Sequence, residues 1–193
     1  MATKPLNLFL SASVPIEGRA GGKYLASADI IAIRDAVIAL ASVALPHYHL
    51  VWGGHPSITP LIANVLRHSN TEVNSSVTVY QSGFFVKEFP KENKDVEHVV
   101  VTEDLGERGM SLEFMRRKMI VENDFAAAVF IGGMNGVEEE YKLFVESHPE
   151  AKVFPVASTG AAALMLYEAN HEVFDLRLKI DMACASLFKD LLM

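Results

Sequence analysis

The chain alternates between short, almost uninterrupted apolar runs and longer segments whose apolar residues recur at helical spacing. "LNLFLSAS" (6–13), "YHLVWGG" (48–54), "SVTVYQS" (76–82), "VEHVVVTE" (96–103), "AAAVFIGG" (126–133) and "KVFPVAS" (152–158) read as strands. Between the first two, "SADIIAIRDAVIALASVAL" (27–45) sets Ile30, Ile33, Val37, Leu40 and Ala41 at helical spacing, with Ser27 as N-cap and Pro46 as the stop. Further helices are expected over 56–69, over 111–123 with Ser111 as N-cap, and over 137–148, 160–169 and 181–192. The stretch 14–24 holds Pro15 and three glycines and reads as a loop. Runs such as "VFI" and "HVVV" fit strands buried on both faces. Strands separated by helices throughout predict an α/β protein with a mainly parallel central sheet covered by helices on both sides. In such sheets ligands collect at the carboxyl ends of the strands. Three of those ends carry small residues: Ser11 to Ser13, Gly53-Gly54 and Gly132-Gly133.

Length and charge narrow the picture. The 193 residues suit one domain over 1–193, and with 50% hydrophobic residues the chain has enough apolar surface for a sizeable core. A net charge of −7 argues against a general nucleic-acid binder, because no basic excess exists to neutralise phosphates. Cys184 is the only cysteine, which excludes an internal disulfide and a cysteine-rich zinc site. His47, His49, His68 and His98 have no metal-ligand spacing, so neither a metal nor a cofactor is expected. The apolar run near the N-terminus is too short for a signal sequence, and no stretch approaches the roughly 18 residues of a membrane span. The expectation is a soluble cytoplasmic protein with neither a membrane nor a nucleic-acid partner.

Two glycine turns carry the candidate chemistry. Gly53-Gly54 stands between a strand and a helix and is followed by "HPSITP", where Ser57 and Thr59 add hydroxyls. Such a turn brings backbone close to a ligand and aims helix N–H groups at an anion, or it is simply a tight, capped connection. The sequence is neither GxGxxG nor a P-loop. His55 has two readings, as a ligand or acid–base group and as a cap of the turn. Gly132-Gly133-Met134-Asn135-Gly136 repeats the design on a second strand end. Glu138, Glu139 and Glu140 follow at a helix start, where the dipole favours them. Successive helical residues point about 100° apart, so one or two of the three face a pocket. In this reading the glycines hold phosphate and one glutamate holds sugar. One arginine of Arg116-Arg117-Lys118 reaches a phosphate, and the rest of that run is a solvated face. The phenylalanine-rich segment 82–95 is a lid, an oligomer contact or a surface loop.

With "FLSAS" at the first strand, "GGHPSITPL" after the second and "FIGGMNGVEEE" at the fifth, the sequence resembles the SLOG superfamily, the Rossmann-like group named for the Smf/DprA and Lonely Guy (LOG) proteins. It is most similar to the prokaryotic SLOG cluster 3 branch over roughly residues 6–170. The resemblance implies a Rossmann-like three-layer α/β/α fold and binding of a nucleotide or nucleotide-derived ligand. Related sensor domains bind a cyclic ADP-ribose signal in Thoeris antiphage NADases and ADP-ribose in TRPM channels. The implied ligand residues are Ser11, Ser13, Gly53, Gly54, His55, Thr59, Arg117, Gly132, Gly133, Met134, Gly136, Glu139 and Glu140. The LOG phosphoribohydrolases remove a base from a nucleoside monophosphate with an Arg-Lys pair on a helix and Pro-Gly-Gly-x-Gly-Thr-x-x-Glu. Arg117-Lys118 and Glu140 match that motif, and Arg117 and Glu140 are then the catalytic pair. Ile131 in place of proline, an extra residue before Gly136 and Val137 in place of threonine depart from it.

Three readings follow: a sensor of an ADP-ribose-like or cyclic nucleotide, a LOG-like hydrolase, and an interaction protein without a ligand. The first ranks ahead of the second because of the three departures. A sensor without an effector domain needs a separate effector protein. The resemblance also implies a homodimer or higher oligomer, with Leu112, Met115 and Met119 as contact residues. Light scattering should therefore give a mass above that of a monomer, and a strict monomer at high concentration would remove this expectation.

Overall fold

The computed structural model describes residues 5–18, 20–69 and 77–193. Its strands are β1 (Leu6–Ser13), β2 (Tyr48–Trp52), β3 (Val77–Ser82), β4 (His98–Thr102), β5 (Ala127–Gly132) and β6 (Lys152–Val156). Its α-helices are α1 (Ile30–Ala44), α2 (Thr59–Arg67), α3 (Arg108–Ile120), α4 (Asn135–Ser147), α5 (Ala161–Ala169), α6 (Arg177–Ile180) and α7 (Cys184–Leu192). The expected third strand began at Ser76, which lies outside the described residues. The strands form one six-stranded sheet in the order β4-β3-β2-β1-β5-β6. Every pairing is parallel, so the sheet is wholly rather than mainly parallel. This is the α/β arrangement that the strand and helix pattern predicts and the Rossmann-like fold that the family resemblance implies.

Alternation along each strand divides the core into two layers. Leu8 and Leu10 of β1, with Val129 and Ile131 of β5, pack against α1, α2 and α7. Phe9 and Phe130 point the other way and meet Phe144 of α4 and Met115 and Met119 of α3. Phe9 and Phe144 stack with centroids 5.5 Å apart, and Phe130 meets both edge-on. This cluster pins α4 to the sheet and fixes which of its residues face inward. Met115 and Met119, expected above as oligomer contacts, are instead core residues of the α3 layer. The valines of β4 are also corrected: Val99, Val100 and Val101 are 37–53% exposed because β4 is the edge strand and has a neighbour on one side only.

Helix starts differ where tertiary contacts outbid local caps. Asp29 caps α1, its carboxylate accepting the Ala32 N–H at 2.9 Å. Ser27 instead accepts the Ala161 N–H at 3.1 Å, which ties the loop before α1 to the start of α5. α3 begins at Arg108, and Ser111 is fully buried within it, its hydroxyl accepting the Leu105 N–H at 2.9 Å. Among the described residues, no helix is long and apolar enough to cross a membrane.

Gly160, at φ 70°, approaches Ser27 so closely that a Cβ there would overlap the Ser27 carbonyl. Gly160→Ala is therefore expected to cost about 3 kcal/mol or more. Thermal denaturation should show a Tm lower by roughly 6–12 °C. Gly109→Ala is the control: its Cβ meets nothing within 4 Å, and it should change stability by at most about 1 kcal/mol. Equal melting temperatures for the two variants would contradict the packing at Gly160.

Candidate functional site

The chain builds β1 to β4 outward on one side, then returns to place β5 against the free edge of β1. Above the carboxyl ends of the strands lies a cleft of about 950 Å³. That volume suits a nucleotide-sized ligand. Its polar lining includes Ser13, His55, Ser57, Asn135, Glu139 and Glu140. Its apolar lining includes Phe85, Phe89, Leu112 and Met115. The cleft is open rather than filled by side chains.

The three glutamates have three different jobs. Glu140 lies one turn before Phe144 on the sheet-facing side of α4, so the aromatic cluster beneath directs it inward. Its carboxylate accepts the Ser11 hydroxyl at 2.6 Å and the Arg116 guanidinium at 3.3 Å. The Arg116 and Glu140 side chains are each only 14% exposed. Glu139 takes a second Arg116 donor and also accepts the Asn135 amide at 3.3 Å. Arg116 therefore bridges two carboxylates at the cleft wall. Glu138 turns away to the loop before α1, accepting Tyr24 Oη at 2.7 Å and Lys23 Nζ at 3.3 Å. Burial, reinforced by the bond to Glu138, pushes the Tyr24 phenol up to about 12. Tyr24 is thus a neutral donor that fastens this loop to α4.

The glycine turns divide into framework and lining. Gly132 and Gly133 have φ of 56° and 88°, and their missing side chains make room for Ile33 and Val137. Both shape the turn without lining the cleft. Met134 and Gly136 do line it. α4 has no side-chain cap, and among the described residues the Asn135 and Gly136 amides donate to no protein acceptor. This is an open helix N-terminus of the kind that accepts an anion. Gly53 lies over Met115 and Met119, while Gly54 at φ 58° leaves space for Gln81, whose amide donates to the Gly54 carbonyl at 3.2 Å.

The end of α2 is different from the expectation. The Ser57 N–H donates to His55 Nδ1 at 3.2 Å, and the Ile58 and Thr59 amides bond the His55 carbonyl. His55 thus caps the turn and occupies the donors that were expected to point at a ligand. Its Nδ1 is also 2.8 Å from the Ser57 hydroxyl, and the ring still lines the cleft. Thr59 is fully buried, accepts Trp52 Nε1 at 3.3 Å and does not line the cleft. Ser57 takes that place.

Arg117 stands on the exposed face of α3, one residue and about 100° from the cleft. Arg116 is the arginine that reaches Glu140. The signal was in the periodicity: Leu112, Arg116 and Ile120 share one helical stripe, whereas Arg117 aligns with the exposed Glu113 and Val121. Ser11 sits beneath Glu140 rather than in the lining, and Ser13 lines the cleft directly. Phe85 in the lining belongs to the phenylalanine-rich segment 82–95, and Leu112 was expected as an oligomer contact; Arg108 had no local motif and comes to the cleft with α3.

No curated protein is matched significantly by this chain. Among solved structures, the X-ray structure of TM1055, a Northeast Structural Genomics Consortium target, aligns with a TM-score of 0.62 at 14% identity. The alignment covers 97% of this chain and 99% of that one. At that identity the likeness is one of fold, and it extends over nearly the whole of both chains. The SLOG cluster3 family model matches residues 23–192, from the loop that Tyr24 fastens through α7. With the two glycine turns and the inward Glu140 inside that span, the chain belongs to the SLOG cluster3 family.

Proposed function

We propose that the cleft binds a nucleotide-derived ligand containing a phosphorylated ribose, with ADP-ribose-like or cyclic nucleotides favoured. The observation that carries this reading is the pairing of an open helix N-terminus at Asn135 and Gly136 with a buried carboxylate, Glu140, on the same wall. Helix amides suit a phosphate. Glu140 suits ribose hydroxyls, because a carboxylate accepts several hydrogen bonds and has lone pairs beyond those used by Ser11 and Arg116. Arg116 is already held by Glu139 and Glu140, so its role is to keep Glu140 oriented while the backbone takes the anion. The apolar side chains of Phe85, Phe89 and Leu112 in the lining then receive the base. Family membership supports a nucleotide-related domain. In this reading the protein is a sensor that acts through a separate effector protein and self-associates.

A second reading is hydrolysis of an N-glycosidic bond, and the Arg116–Glu140 pair favours it. Water would attack C1′ of the ribose as the bond to the base breaks, the base leaving with the bonding pair and taking up, through solvent, the proton that the water loses, and positive charge would develop on the sugar in the transition state. Glu140 would stabilise that charge electrostatically, and Arg116 would hold the carboxylate in place. Arg116 replaces Arg117 in this scheme.

In a thermal-shift panel of ADP-ribose, cyclic nucleotides and nucleoside monophosphates, at least one compound should raise the Tm. At a concentration near 100 Kd the gain is about 2.7 kcal/mol, or roughly 5–11 °C for a protein of this size. A panel in which nothing shifts the transition would overturn ligand binding.

For the second reading, the protein is incubated with nucleoside monophosphates and NAD, and free base is followed by chromatography. If the chain is a hydrolase, Glu140→Gln should slow release by about 100-fold or more. Undiminished release from that variant would show the assignment to Glu140 to be wrong. Tight binding with no release from any substrate would leave sensing alone.

A further inference from the structure

The cleft contains a second open helix N-terminus that the reading above does not use. α3 spans Arg108–Ile120 and has no side-chain cap. Among the described residues, no bond is donated by the amides of Arg108, Gly109 or Met110, the first intrahelical bond being Ser111 N–H to the Glu107 carbonyl. Arg108 and Gly109 line the cleft. Arg108 has no carboxylate partner among the described residues, and its guanidinium lies over the Phe85 ring at 5.9 Å.

An independent feature stands beside it. Ser82, the last residue of β3, is 2% exposed, lines the cleft and has a hydroxyl with no hydrogen-bond partner. It lies two residues after Tyr80, which packs in the α3 layer, so strand alternation puts Ser82 on that same side of the sheet. A buried hydroxyl left unsatisfied costs about 1–3 kcal/mol. A group that supplied an acceptor there would recover that cost. The carboxylates nearby do not fill the role: Asp104 is engaged by the Gly106 amide at 2.9 Å, and Glu88 and Glu113 are exposed on the rim.

We propose that the N-terminus of α3, with Arg108, Gly109 and Ser82, forms a second anion subsite, so that the ligand carries a second phosphoryl group remote from the one held at α4. This rests on reading the cleft as a nucleotide site and narrows the ligand class. A simple nucleoside monophosphate would leave the Ser82 hydroxyl and three helix amides without partners. A nucleotide with two separated phosphoryl groups would satisfy both ends of the cleft. Charge-assisted bonds of this kind are worth roughly ten-fold or more in affinity.

The test compares ADP-ribose with ADP-ribose 2′-phosphate, which differ by one phosphoryl group remote from the pyrophosphate. Calorimetry should give the 2′-phosphate form at least about ten-fold tighter binding. That advantage should vanish in Arg108→Ala and shrink in Ser82→Ala. Because the Ser82 hydroxyl has no partner in the free protein, Ser82→Ala should leave the ligand-free Tm unchanged or higher; a lower Tm would assign the hydroxyl a structural role and count against the subsite. Equal affinities for the two compounds would overturn the proposal while leaving the cleft as a nucleotide site. If neither compound binds, these two ligands are excluded, and inorganic phosphate followed by amide chemical shifts decides the subsite. Saturable shifts at Arg108 and Gly109 that Arg108→Ala abolishes would uphold it, and unmoved amides would overturn it.

Discussion

A wholly parallel sheet obliges every strand to be followed by a crossover, because consecutive strands must restart at the same edge. The chain therefore delivers each connecting helix with its N-terminus at the carboxyl edge of the sheet. That constraint gathers α2, α3 and α4 around one cleft. Positive backbone ends are brought together by topology alone, before any side chain is chosen. Reversal of strand order between β1 and β5 then leaves a gap between the connections on either side. The sequence meets this geometry with small residues: Ser11 and Ser13 on β1, and glycines after β2 and β5.

The polar array in that gap is costly as a structural element. Ser11, Arg116 and Glu140 are largely withdrawn from water, and burying charge is repaid only when the partners are well placed. Apolar residues of similar size would hold α3 and α4 together at least as well. Glu140 even occupies the stripe of α4 that Val137, Tyr141 and Phe144 make apolar. A charged residue thus stands on a core-facing stripe, with a serine and an arginine arranged to accommodate it. Glu138 shows the contrast. It is next but one in sequence, yet it fastens a loop through Tyr24 and Lys23.

Much of this was legible in the chain. Buried strands announce themselves as apolar runs because parallel sheets are covered on both faces, and all six expected strands occur in the sheet. β4 shows the limit of that signal: "HVVV" reads like an interior strand, but strand order is a long-range property and puts it at the edge. Helix starts were displaced because capping is decided by whichever acceptor tertiary structure brings near, as at Asp29 and Ser27. In the site, the glycines and Glu140 were visible as local motifs. Choosing Arg117 over Arg116 followed motif spacing where helical phase was decisive. Thr59 and the α2 amides looked available because neither Trp52 nor the His55 ring can be seen from local sequence to claim them. Ser82 carried no signal at all; its meaning arises only from the absence of a partner in a packed environment.

The central position of β1 has a consequence for the order of events during synthesis. β1 is made before every other strand, and β2 pairs one of its edges soon after. Its other edge belongs to β5, which starts only at Ala127. At ribosomal rates of about 5–20 residues per second, that edge waits on the order of ten seconds. Throughout this interval Phe9 lacks Phe130 and Phe144, and Ser11 lacks Glu140. The nascent chain therefore presents an unpaired, strongly apolar strand edge until its later half emerges. The cleft cannot form before α4 is made, since its walls unite segments from both ends of that delay.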